Sequence, residues 1–184
     1  MKKLVQSLKV ILLILPLFLL SGCWGNLEVE ETAYILAVGF DQGEEGNLKI
    51  TFQIANPKEI GSGGGKGNKA YVFNTLEAPL PMAGYTLLNT IHTRQISLLH
   101  TKAYIFSEEL AKKGIEDILY PLTMYRETRG SSYIFVCRGK AEEVMSKETI
   151  NLESNPARQF ELLDVLSKKL GFTSMVNLGR FYQE

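Results

Sequence analysis

The apolar positions of this chain change period several times, and each change marks an element. Ala33 to Phe40 is apolar at nearly every position, which fits a strand buried on both faces. Asp41 to Asn47 follows with acidic residues and glycines, the chemistry of a turn. Leu48, Ile50, Phe52 and Ile54 then alternate with Lys49, Thr51 and Gln53, predicting a strand with one wet face and a β-hairpin with its predecessor. Asn56-Pro57 ends that strand, and Ala70 to Phe73 reads as another. Pro81 suits the first turn of a helix, where a missing N–H costs nothing. Tyr85, Leu88 and Ile91, with Leu87 beside them, give it an apolar stripe in a segment that runs through Ser97.

Further along, Lys102 to Phe106 is again apolar on both faces. Ser107 can cap a short helix from Glu108 to Lys113, acidic in its first turn and basic in its last, with Gly114 as its stop. Ile115, Ile118, Leu119 and Leu122 continue as an amphipathic helix that Pro121 should kink or cut. Ser132 to Cys137 reads as a third buried strand, and Ala141 to Ser146 as a short helix carrying Val144 and Met145. Ser154-Asn155-Pro156 opens a last helix, with Phe160, Leu163, Leu166 and Leu170 on one side and Gly171 at its end. Strands alternating with helices, three of them greasy on both faces, predict a sheet covered on two sides. The hairpin makes the sheet mixed, so the fold class is α+β.

The start of the chain obeys a different rule. Lys2, Lys3 and Lys9 precede the run Val10 to Leu20, apolar and broken only by Pro16. A bilayer-spanning helix needs about 20 apolar residues, roughly twice this length. A basic start, a short apolar core and small residues before a cut are instead the marks of a secretory signal. Leu20-Ser21-Gly22-Cys23 looks like a bacterial lipobox, in which the Cys23 thiol receives diacylglycerol before the leader is removed. Two acyl chains, at ~0.8 kcal/mol per buried CH2, hold a protein on a membrane where one would be marginal. The expected organisation is a signal peptide over 1–22, a lipidated tether over 23–32 and a domain over 33–184. Trp24, beside the acylated cysteine, suits the headgroup layer, though it could equally belong to the domain.

Composition narrows the function. Three of the 20 basic residues lie in the leader, leaving 17 against 20 acidic ones, a net of −3. That balance gives no reason to expect nucleic acid or anionic lipid as the main partner; the acyl anchor supplies the membrane affinity. With Cys23 acylated, Cys137 has no partner within the chain, and its place at the end of Tyr133-Ile134-Phe135-Val136 suggests a buried small hydrophobe. The glycine-rich run 61–67 resembles a phosphate cradle only superficially. Lys66 is followed by Gly67 and Asn68, and the next element is a strand where a helix would be needed, so a flexible loop is expected. His92 and His100 have no third ligand nearby and read as surface or capping residues. No nucleophile elbow or metal spacing appears, so no catalytic residue, metal or cofactor is expected beyond the lipid on Cys23.

Several stretches, in order, resemble a known family: Gly22-Cys23-Trp24 with Glu28 nearby, Val38-Gly39-Phe40-Asp41, and Phe52-Gln53-Ile54-Ala55-Asn56-Pro57. His100-Thr101-Lys102, the run Phe106 to Ile115, and Tyr133 to Gly139 followed by Ala141-Glu142-Glu143 continue the match. Together they resemble the Ger(x)C spore germination lipoproteins, the C subunits of nutrient germinant receptors. Members usually carry an acidic residue after the Cys-Trp pair, where this chain has Gly25, and they are longer, so the chain looks like the N-terminal domain alone. The resemblance implies a non-catalytic receptor subunit on the outer face of the bacterial cell membrane or inner spore membrane. Its partners would be integral membrane A and B subunits, with nutrient binding by the transporter-like partner. The alternative is a solute-binding lipoprotein of a transporter, for which a domain of this size without a visible hinge is small.

Overall fold

The computed structural model describes Lys3, Gln6 and residues 31–55, 71–146, 157–170 and 175–183. Leu20, Ser21, Gly22, Cys23, Trp24 and the glycine-rich run 61–67 lie outside the described residues, as does the Ser154-Asn155-Pro156 helix start. The boundary expected at residue 22 therefore lies outside the described residues as well.

The chain enters through β1 (Thr32–Gln42) and turns through a 3-10 segment, Glu44–Gly46, in which Glu45 (φ 51°) and Gly46 (φ 86°) take left-handed conformations. It returns antiparallel as β2 (Leu48–Ala55), and β3 (Tyr71–Ala78) runs antiparallel to β2. On the other side of β1 lie β4 (Gln95–Ser97) and β5 (Ala103–Ser107), both parallel to it. Parallel β6 (Tyr133–Cys137) and a two-residue antiparallel β7 (Val176–Asn177) complete the order β3-β2-β1-β5-β6-β7. The sheet is mixed and the fold α+β, as the pattern predicted.

Six helices accompany the strands among the described residues: α1 (Pro81–Ile91), α2 (Glu108–Lys113), α3 (Glu116–Met124), α4 (Ala141–Ser146), α5 (Ala157–Leu170) and α6 (Leu178–Phe181). Buried residues of α1, α2 and α3 cover one face of the sheet. There Val38, Phe40, Ile50, Phe52, Tyr104 and Phe106 meet Leu88, Leu110 and Leu119. Phe40 and Phe106 stack with centroids 5.0 Å apart. Each such side chain contributes about 1.5–3 kcal/mol by leaving water, so this face supplies most of the drive to fold. The other face is built mostly from small residues, with Ala37 and Ala103 beside the larger Ile105 under Ala141 and Met145 of α4.

One irregularity makes the two faces consistent. The β1–β2 register slips between Ile35 and Ala37, so Leu36 is an extra residue in β1. Before it the main core takes Ala33 and Ile35; after it, Val38 and Phe40. Without a bulge, strict alternation would send one of these pairs to the opposite face. Across from it, β4 and β5 are interrupted by Leu98–Lys102, and the Lys102 amide donates to the Leu36 carbonyl at 2.8 Å.

Several expectations need correction. Asp41 is not in the turn: it lies in β1 and is 3% exposed. The wet face of β2 is covered, with Thr51 and Gln53 buried, because α4 lies over it. The first helix stops at Ile91, and the segment expected to follow it through Ser97 supplies β4 instead; Ile91 and Leu87 are exposed, and the stripe is Gly84, Tyr85 and Leu88. Pro121 does not cut α3. In its second turn it forgoes one bond to the exposed carbonyl side of Asp117, while buried Ile118, Leu119 and Leu122 hold the helix on either side. β6 is only half-buried, with Val136 exposed, since β7 covers just Tyr133 and Ile134. Cys137 is accordingly half-buried, and on α4 it is Ala141, not Val144, that joins Met145 in the interior. On α5, Leu166 and Leu170 stand exposed.

Candidate functional site

The C-terminal ends of β1 and β5 and the start of α4 meet at one end of the sheet. Asp41 Oδ1 accepts from the Ala141 amide at 2.7 Å and Oδ2 from the Glu142 amide at 3.0 Å. A buried carboxylate thus satisfies two of the amides that a helix start leaves unpaired, and its charge suits the positive end of the helix dipole. Gly39, two residues earlier on the same face, makes room for the helix. A Cβ there would lie 2.5 Å from Met145 Sδ and 3.2 Å from Ala141 Cβ. Two stretches a hundred residues apart, Val38 to Asp41 and Ala141 to Glu143, are therefore one structural unit.

Around this junction lies an open cleft of about 580 Å³, lined by Gln42, Lys49, Ser107, Glu108 and Lys113 among others. Most of its charges are matched internally. Lys49 Nζ sits 2.6 Å from Glu142 Oε2, Lys112 pairs with Glu108 at 2.8 Å, and Lys113 reaches Gln42 at 2.9 Å and Glu109 at 3.3 Å. The bond to Glu142 raises the Lys49 pKa, and the same bond holds Glu142 below the usual carboxylate range. Ser107 Oγ accepts from the Leu110 amide at 3.3 Å, the helix cap predicted for it. This chemistry organises helix starts; it aligns no nucleophile with a base. The Cys137 thiol is pushed up by burial and by the Asp41 charge, with Sγ 3.9 Å from the Gly139 carbonyl, so it rests protonated. Among the described residues no group of three His, Cys, Asp or Glu side chains is placed to hold a metal.

The opposite end of the sheet is joined by backbone-directed bonds. Thr101 Oγ1 donates to the Ile35 carbonyl at 3.3 Å, Ser132 Oγ to the Thr101 carbonyl at 2.7 Å, and the Tyr133 amide to the Lys102 carbonyl at 2.8 Å. His100 stacks on Tyr34 with centroids 4.4 Å apart. Burial first, and then the charges of Arg129 and Lys102, keep its pKa below the ordinary histidine value. Glu127 accepts from Ser97 Oγ at 3.0 Å and from the Leu98 amide at 2.9 Å, tying the 125–131 loop to β4. His92 stands at the C-terminal cap of α1, half-buried. Both histidines thus take the surface and capping places expected of them. Deeper in, Tyr104 is pushed up to about 12 by burial.

A second surface went unseen in the sequence. Tyr120, Met124 and Tyr182 stand exposed beside a shallow cleft of about 320 Å³ between α3 and α6, whose floor includes Leu178 and Gly179. Local periodicity places Tyr120 and Met124 on the outer side of α3, but nothing local reveals that residues 178–182 return beside them.

Comparison with known proteins places the chain in a family. A family model described as "Spore germination protein N-terminal domain" matches residues 25–184. The putative spore germination protein YfkR of Bacillus subtilis is 25% identical over 86% of this chain and 42% of its own length. Spore germination protein KC of the same organism is 25% identical over 94% of this chain and 44% of its own, and GerQC of Bacillus cereus 27% identical over 88% and 41%. The chain spans less than half the length of these relatives. No solved structure matches. The stretches that carry the resemblance build the Asp41 junction and the Thr101 clasp, and with the family model covering residues 25–184 the chain belongs to the Ger(x)C spore germination proteins, as their N-terminal domain.

Proposed function

We propose that this chain is a lipid-anchored, non-catalytic subunit domain of a spore nutrient germinant receptor, working beside integral membrane A and B subunits. The observation that carries the reading is the family match over residues 25–184. The sequence of the leader supports the anchor: a short apolar run ends in Leu20-Ser21-Gly22-Cys23. The chemistry of the folded part supports an assembly role, since most charged groups of the cleft beside Asp41 are paired with one another. Confinement to a membrane surface raises the effective concentration of such a domain near membrane partners without any new contact. In this role the domain holds partners in register, and nutrient recognition falls to a transporter-like partner. The expected location is the outer face of the cell membrane or inner spore membrane.

The test is the mass of the native N-terminus together with nutrient-triggered germination. A mature chain starting at Cys23 and carrying a diacylglyceryl group is expected, with slower germination in spores bearing Cys23→Ala. An unmodified thiol or a retained leader in the wild type would overturn the anchor. Normal germination after deletion of the gene, in a strain without a second receptor, would overturn the receptor role.

A further inference from the structure

The net charge of −3 over residues 23–184 conceals a segregation of charge along the sheet. The end where β1 finishes carries eight carboxylates, from Asp41, Glu44, Glu45 and Glu77 to the pairs Glu108-Glu109 and Glu142-Glu143, against the five cations Lys49, Lys112, Lys113, Arg138 and Lys140, a local net of −3. The end where β1 begins is made by the last turn of α1, by β4, and by the loops 98–102 and 125–131. It carries Arg94, Lys102, Arg126 and Arg129 against Glu31 and Glu127, and the Glu127 carboxylate is drawn inward by Ser97 and Leu98. Apolar side chains stand exposed among these cations: Met124 at 67%, Ile91 at 64% and Leu99 at 40%. Basic and aliphatic groups interleaved at one end of the sheet match an anionic lipid interface, which takes up both cations and short apolar side chains.

The point of attachment agrees. Eight residues lie between Cys23 and Thr32, and this stretch reaches at most about 30 Å when fully extended. They join the sheet at this basic end.

We propose that the domain seats this end, through Arg94, Arg126, Arg129, Ile91, Leu99 and Met124, directly on the anionic lipid surface. The domain is thereby oriented with its acidic Asp41 end pointing away from the membrane. This deepens the anchored-subunit reading and rests on it. Each arginine near such a surface contributes about fivefold to partitioning, so the three together are worth on the order of 100-fold, an effect that salt screens.

The experiment uses the full processed chain on vesicles of phosphatidylcholine with or without phosphatidylglycerol. A fluorophore is placed on Met124→Cys or on Lys112→Cys, both in a Cys137→Ser background, and quenching by lipid-borne quenchers is read. With phosphatidylglycerol at low salt, position 124 is expected to be quenched several-fold more than position 112. High salt, or the triple variant Arg94→Glu, Arg126→Glu, Arg129→Glu, should abolish the difference while the protein still floats with the vesicles through its anchor. The salt series on the wild type decides the matter should the triple variant misfold. Equal quenching at the two positions with phosphatidylglycerol, or a difference that survives high salt, overturns the seating and leaves the anchor standing. A chain that floats with neither vesicle overturns both.

Discussion

The two faces of the sheet are held by different physics. One is covered by α1, α2 and α3 over Phe40, Phe52, Tyr104 and Phe106, and its stability scales with buried apolar volume. The other is covered by six-residue α4 over Ala37, Gly39 and Ala103, and depends on a missing side chain at Gly39 and a carboxylate at Asp41. A face of large residues tolerates local loss because many contacts share the burden. A face of small residues fails at single positions, and it fails locally.

Three single substitutions and one double-mutant cycle test that contrast. Phe106→Ala removes a ring from the thick face and should cost about 3–5 kcal/mol in chemical unfolding, in one cooperative transition. Gly39→Val acts on the thin face, where the added Cβ would meet Met145 Sδ. A loss of about 1–3 kcal/mol is expected, with proteolysis or hydrogen exchange at 141–146 rising before the thick face opens. Should α4 and the core exchange in step, the two faces are one unit and the contrast is wrong. Asp41→Ala strips the cap from α4 and should cost about 2 kcal/mol, again with early exchange in α4. The Lys49–Glu142 pair is half-exposed, and a double-mutant cycle with Lys49→Met and Glu142→Gln should return only about 0.5 kcal/mol. Its pH dependence has a definite sign. The depressed Glu142 pKa adds stability above the unfolded carboxylate value, near 4.5, and that share disappears as pH falls through the lower folded value. The raised Lys49 pKa adds stability below about 10.5, lost as pH climbs through the folded value.

Legibility in the sequence follows the same division. The thick face announces itself: the apolar runs Ala33 to Phe40 and Lys102 to Phe106, the Ser107 cap and the Gly114 stop all appear where local pattern places them. The thin face does not. Thr51 and Gln53 look like water-facing residues because their cover arrives from Ala141, ninety residues on, and Asp41 looks like a turn residue because the amides it caps are equally distant. Pro121 misled because helix-breaking was judged without the anchors on either side of it. The lipobox residues lie outside the described residues, so the anchor stands on the leader sequence alone.

The extra residue at Leu36 has a consequence for anyone comparing this domain with its relatives. β1 is read in two frames, odd positions inward up to Ile35 and even positions inward from Val38. Removing Leu36 would restore a single frame, in which Ala33, Ile35, Val38 and Phe40 alternate regularly toward the main core. Removing a residue from the Glu44–Gly46 turn would leave both frames intact. Alignments of this family should therefore admit a one-residue gap within β1 only at Leu36 and place other length changes in the turn beyond it.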